Sequence, residues 1–187
     1  MKRVLTIAAA LVVLAVPAFA QQQYGWKISS SATNPDLNSG ATQGAPLPLY
    51  LWLDCASPDG MSAAEFDLSI PAGMFNFGFT PLNGFLNAGG PGDPLLAVGG
   101  CPQGPIVAGV WNLFGSTPGV ICLVNSARSG WAVTVDCASP VPSNWPIKRV
   151  GYGYGVPNDS CNDGGPNLCV PVSVEASSWG NVKSLYR

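Results

Sequence analysis

The sequence predicts an all-β fold, a two-sheet β-sandwich, and three observations carry that prediction. Apolar residues recur with a period of two, turn residues interrupt them every eight to a dozen positions or so, and helical periodicity is nearly absent. Ten segments read as strands, enough for two facing sheets.

The chain opens with a different pattern. Lys2 and Arg3 precede an apolar run over residues 4–16, and Ala18, Phe19 and Ala20 form a small-x-small site before Gln21. This is the layout of a secretory signal peptide. The apolar run is too short for a stable bilayer anchor, and Gln21 stands where a lipoprotein would need cysteine. Residues 1–20 are therefore expected to be removed, leaving a secreted chain with no membrane span. Its destination is the medium, the cell surface or the periplasm, and the sequence leaves these open. The remainder, about 167 residues, suits one sandwich domain over residues 21–175 and a short helical tail over residues 176–187.

The strands follow in order. Residues 24–30 and 47–55 come first, with Leu49, Leu51 and Leu53 opposite Tyr50 and Trp52. In residues 64–70, Ala64, Phe66, Leu68 and Ile70 alternate with Glu65, Asp67 and Ser69, a half-buried strand with a polar outer face. Phe75, Phe77 and Phe79 alternate with Asn76, Gly78 and Thr80 in the same way. Strands are further expected over residues 95–98, 106–114 and 120–124. Trp131, Val133, Val135 and Cys137 share one face of the next, taken as the inner one. Residues 149–155 and 170–174 complete the set. Gly- and Pro-rich residues 87–94 and 99–105 read as long surface connections. In the tail, Ser177 or Ser178 caps a turn of helix, and Trp179, Val182 and Tyr186 form its contact stripe.

Six cysteines, Cys55, Cys101, Cys122, Cys137, Cys161 and Cys169, make three disulfides the simplest expectation in an exported chain. The spacing favours sequential pairing. Cys161 and Cys169 close a short Gly- and Asn-rich loop, Cys122 and Cys137 flank a hairpin-like stretch, and Cys55 is left with Cys101. No Cys-x-x-Cys motif or histidine accompanies them.

Charge excludes one class of partner. Lys27, Arg128, Lys148, Arg149, Lys183 and Arg187 face ten carboxylates, with no basic patch to neutralise phosphates, so nucleic acid is not expected. The lack of histidine removes the usual general base and the common nucleophile pairs. Glu65 and Asp67, two apart on a strand, are the best paired carboxylates, at roughly 7 Å along it. The same alternation places them opposite Phe66 and Leu68, where a solvated outer face is the better account of them. The Gly spacing of residues 150–155 does not fit a nucleotide loop. Asp159 and Asp163, within an Asn- and Gly-rich turn, are candidate ligands for a structural calcium ion, although Cys161 stands where a calcium loop wants an oxygen donor. Tyr50, Trp52, Tyr152 and Tyr154 are candidates for an aromatic platform that contacts a sugar or a protein, the other use of such rings being to fill a core.

Leu49-Tyr50-Leu51-Trp52-Leu53, followed after a turn by Gly60-Met61-Ser62-Ala63-Ala64-Glu65-Phe66-Asp67-Leu68-Ser69-Ile70, resembles the opening strands of cohesin-type and related carbohydrate-binding sandwiches. The resemblance covers about a third of the mature chain. It implies a cohesin-like or jelly-roll-like sandwich and a non-catalytic binding or adhesion module whose partner is carbohydrate or an extracellular protein. The six cysteines and the Gly/Pro-rich middle depart from cohesins. The residues leave two further readings open: a self-assembling component of a cell surface or matrix, and a carbohydrate-active hydrolase working through paired carboxylates.

Overall fold

Short stretches of alternating residues each have one face to bury, and pairing them edge to edge satisfies the backbone at the same time. In the computed structural model, which describes residues 24–40, 44–158, 161–163 and 168, this produces thirteen strands and no helix among those residues. They are β1 (Tyr24–Ser29), β2 (Ser39–Gly40), β3 (Pro46–Cys55), β4 (Met61–Glu65), β5 (Asp67–Ser69), β6 (Phe75–Pro81) and β7 (Phe85–Asn87). After these come β8 (Leu95–Val98), β9 (Ile106–Phe114), β10 (Gly119–Val124), β11 (Val133–Asp136), β12 (Asn144–Val150) and β13 (Tyr152–Tyr154). All described residues belong to one unit, Gln22–Cys169. The signal peptide, the strand expected at residues 170–174, and the tail with Trp179, Val182 and Tyr186 lie outside the described residues.

The strands form two sheets, as the sandwich expectation requires. One has nine strands in the order β6-β9-β3-β1-β12-β11-β4-β8-β7, and the other has four in the order β2-β13-β10-β5. Pairing is mostly antiparallel, with β1 on β12 and β2 on β13 parallel. Two continuous stretches of chain pass from one sheet to the other. The first turns at Phe66, between β4 and β5, where the buried ring meets Trp26 edge-on at 5.3 Å. The second turns at Gly151, between β12 and β13. A Cβ there would lie 2.5 Å from the Ile121 carbonyl oxygen and 2.8 Å from Cys161 Cβ, so only glycine fits the corner.

The two sheets share one core. Tyr24, Trp26 and Ile28 of β1, Leu49, Leu51 and Leu53 of β3, Trp111 of β9, Ile121 of β10, and Tyr152 and Tyr154 of β13 are all buried in it. β11 corrects the expected facing. Thr134 and Asp136 point inward, while Val133 and Val135 are half-buried and Trp131 is exposed. The reason is hydrogen bonding: Trp26 Nε1 donates to Thr134 Oγ1 at 2.9 Å, and Trp145 Nε1 donates to Asp136 Oδ2 at 2.7 Å.

The disulfides also differ from the sequential pairing. Cys101 bonds Cys137 and Cys122 bonds Cys161, with Cα atoms 6.0 and 5.8 Å apart; Cys55 is disulfide-bonded as well. No free cysteine occurs among the described residues. Cys122 lies on β10 of the four-stranded sheet and Cys137 just after β11 of the nine-stranded one, so the stretch between them is not a hairpin and each cysteine bonds another partner. Bridges of this kind persist in oxidising compartments.

Candidate functional site

The edge strand β6 is where the alternation of its three phenylalanines breaks. β6 pairs with β9 in register at Phe75↔Phe114 and Asn76↔Leu113, then shifts, so that Phe79 stands opposite Trp111. Gly78 carries the bulge at φ 143°, with its N–H held by Asn76 Oδ1 at 3.0 Å. The expected single face is thereby divided. Phe79 turns inward, its ring centroid 4.8 Å from that of Trp111, over the bare backbone of Gly109. Phe75 and Phe77 stay outside, 62% and 72% exposed, and Phe114, directly across from Phe75, is 38% exposed.

These three rings form an apolar surface at one edge of the nine-stranded sheet. Pro46 lies across from Phe114 on the next strand and is also exposed, which extends the patch. Charge is scarce here for a simple reason: between Ile70 and Arg128 the sequence contains one charged residue, Asp93. Its carboxylate is bound by Arg128 at 2.8 Å. Exposed aromatic rings in an uncharged setting lose little on desolvation and bury a large area, as contact residues do.

The aromatic platform expected at Tyr50, Trp52, Tyr152 and Tyr154 is not a surface. Tyr152 and Tyr154 are completely buried between the sheets, and the Tyr154 hydroxyl donates to the Gly115 carbonyl at 2.6 Å. Burial pushes the Tyr152 hydroxyl above the ordinary phenol range. The glycine between them lets neighbouring chain close over β13: a Cβ at Gly153 would meet the Val156 carbonyl. Trp52 is covered by the loop after β1, its Nε1 donating to the Ser31 carbonyl at 3.0 Å, and Tyr50 is half-buried. Trp52, Tyr152 and Tyr154 belong to the interior.

Glu65 and Asp67 both reach the turn before β11. Glu65 Oε1 accepts from Ser126 Oγ at 2.7 Å, and Asp67 Oδ2 accepts from the Ala127 N–H at 2.9 Å. Their visible work is to anchor that turn. Asp163 Oδ2 accepts from Arg149 Nε at 2.9 Å, so this calcium candidate already has a cationic partner; Asp159 lies outside the described residues. No group of three or more metal-binding His, Cys, Asp or Glu side chains occurs among the described residues.

One charged group carries a role that its place in the sequence did not announce. Lys27, in the apolar run of β1, is buried, with Nζ 2.7 Å from Asp36 Oδ1 and 2.9 Å from Asp54 Oδ2. Burial alone favours the neutral amine, but the hydrogen bonds and charges of Asp36 and Asp54 outweigh it and hold the ammonium above the ordinary lysine range. The signal was present in the sequence as a single cation among Tyr24, Trp26 and Ile28. For Phe75, Phe77 and Phe114 the only signal was aromatic content on strands, which did not separate the outward rings from Phe79.

A scan against protein-family models finds no match for this chain, and a search of curated proteins finds no match either. The fold and its bridges define an all-β, disulfide-linked domain.

Proposed function

We propose that the protein is an exported, non-catalytic binding module whose contact surface is the Phe75, Phe77 and Phe114 edge, and whose partner is an uncharged protein surface. The observation that carries this reading is the exposure of three large aromatic rings on paired strands with no charge beside them in the sequence. Folded chains leave such groups together where something covers them. Protein is favoured over carbohydrate by the surroundings. Pro46, Pro48 and Val110 on the strands beside the rings offer apolar contact, and the exposed amide of Asn112, opposite Pro48, adds one hydrogen-bonding group to a mainly apolar face. The basic start, apolar run and small-x-small site of residues 2–20, together with the disulfides, support export.

A photoreactive phenylalanine placed at position 77 in producing cells tests the surface, with position 141, also exposed, as the control. A covalent adduct of defined mass is expected from position 77 and none from position 141. Twice the mass of the chain would identify the partner as a second copy, the assembly reading. No adduct at 77, or equal adducts at both positions, would overturn the proposal. Export is checked by sequencing the amino terminus of protein recovered outside the cytoplasm, which is expected to begin at Gln21.

A further inference from the structure

The aromatic edge is one end of a larger outer face carried by β6, β9 and β3, and strand register lays its side chains out in rows. Phe75, Phe114 and Pro46 stand side by side in the first row. Asn112 and Pro48 follow in the second, with Phe77 and Gly78 of the bulge across from Asn112, and Thr80 pairs with Val110 in the third. None of these residues is charged. Two of them bring polar groups that the fold does not use: Asn112 and Thr80 are exposed, and their side chains form no hydrogen bond with the described residues.

Three properties of this face limit what can cover it. The first is area. The exposed parts of Phe75, Phe77 and Phe114 come to roughly 350 Å², whereas a stable contact between two folded proteins takes about 800 Å² from each. A short segment of chain suits the face better than a second folded domain. The second is the strand edge beside it. A strand added to β6 would need the N–H groups of that edge, yet Pro81 has none, and the Gly78 N–H is taken by Asn76 Oδ1 at 3.0 Å. The segment therefore lies over the face and not along the edge. The third is the backbone of the segment itself. The N–H and C=O groups of a sheet lie in its plane, so an ordinary extended peptide laid on the face would bury most of its own N–H groups without acceptors.

Resting on the contact surface proposed above, we infer that its occupant is an uncharged, proline-rich segment of the partner protein in the polyproline II conformation. Proline has an apolar ring and no N–H to leave unpaired, and its carbonyl oxygens can accept from Asn112 Nδ2 and the Thr80 hydroxyl. The spacing agrees. Phe75 and Pro46 are two strands apart, about 9.5 Å, and a polyproline II chain repeats every three residues, about 9.3 Å. Such a segment lying across the strands meets the two ends of the first row with successive turns. It is extended before it binds, so it loses little conformational entropy on a face of this size.

The test uses the full, oxidised chain labelled with ¹⁵N and follows the Asn112 side-chain amide and the Phe114 backbone amide. Blocked hexaproline is the probe, compared with a blocked hexapeptide of alternating valine and threonine and with cellohexaose. Hexaproline is expected to give saturable shifts at both amides, and Asn112→Ala, read at Phe114, is expected to weaken binding at least fivefold. Tighter binding of the valine–threonine peptide or of cellohexaose would overturn the assignment. Absence of a saturable shift with hexaproline would also overturn it, and the cross-link from position 77 separates the two ways of failing. With an adduct, the contact surface stands and its occupant is of another kind; without one, the surface itself is lost. Titration of the unsubstituted protein gives these outcomes even if Asn112→Ala fails to fold.

Discussion

Trp26 Nε1 donates a 2.9 Å hydrogen bond to Thr134 Oγ1 across 108 residues of sequence, with both side chains fully buried. The bond joins β1 to β11 across the intervening β12 and leaves the largest side chain of the core with no unpaired polar atom. Thr134→Val keeps the shape and removes the acceptor. The indole N–H would then be buried without a partner, a loss of about 1–3 kcal/mol. Urea unfolding should show that loss as a lowered midpoint with an unchanged slope.

Asp136 makes the same kind of bond to Trp145 and adds a pH dependence. Burial alone would raise its pKa, but the Trp145 indole N–H and the backbone N–H groups of Ser143 and Ala138 outweigh it and hold the carboxyl below its ordinary 3.8. A carboxylate depressed in the folded state contributes stability above the unfolded pKa and loses it as pH falls through the folded one. Asp136→Asn should therefore be destabilised most from neutrality down to about pH 4. The difference in melting temperature from the parent chain should shrink on further acidification, and a constant difference would contradict the assignment.

These inward polar residues show where sequence reading stopped. The strands of β1, β3, β8 and β9 were legible within about a residue, because each carries large apolar residues at alternate positions and is bounded by turn residues. The facing of β11 was not, since Thr134 and Asp136 are polar inside only because indoles 108 and 9 residues away need acceptors. The corners at Phe66 and Gly151 were hidden for a related reason: alternation continues through each while the chain changes sheets. Tyr152 and Tyr154 alternate with glycine on a strand whichever face they take, so their burial was set by the chain folded over them. Short β2 and β7 had too few residues to show a period.

The two assigned bridges close loops of similar length, with separations of 36 and 39 residues. In the chain-entropy account each contributes about 4 kcal/mol, so replacing either pair by serine should lower stability by similar amounts. Their local effects should differ. Cys122→Ser with Cys161→Ser releases the segment carrying Asn158 and Asn162, and should shift the Asn158 side-chain amide. Cys101→Ser with Cys137→Ser should leave that resonance in place.

Phe77 and Phe79, two residues apart, should respond oppositely to truncation. Phe79 packs on buried Trp111 and fills the space above Gly109, where a Cβ would lie 2.2 Å from its ring. Phe79→Ala opens a cavity against Trp111 and, for a half-buried ring, should cost about 2–3 kcal/mol, near the lower end of large-to-small losses. Gly109→Ala should reproduce part of that loss by driving the ring off its seat, at about 1–3 kcal/mol. Phe77, 72% exposed, has no such neighbours to lose, and Phe77→Ser should change stability by no more than about 0.5 kcal/mol. If position 77 is a contact point, the same Phe77→Ser change should abolish partner capture while leaving the melting temperature unaltered. A matching loss of stability would mean that Phe77 serves the fold, and the binding surface would have to be sought elsewhere on the sheet.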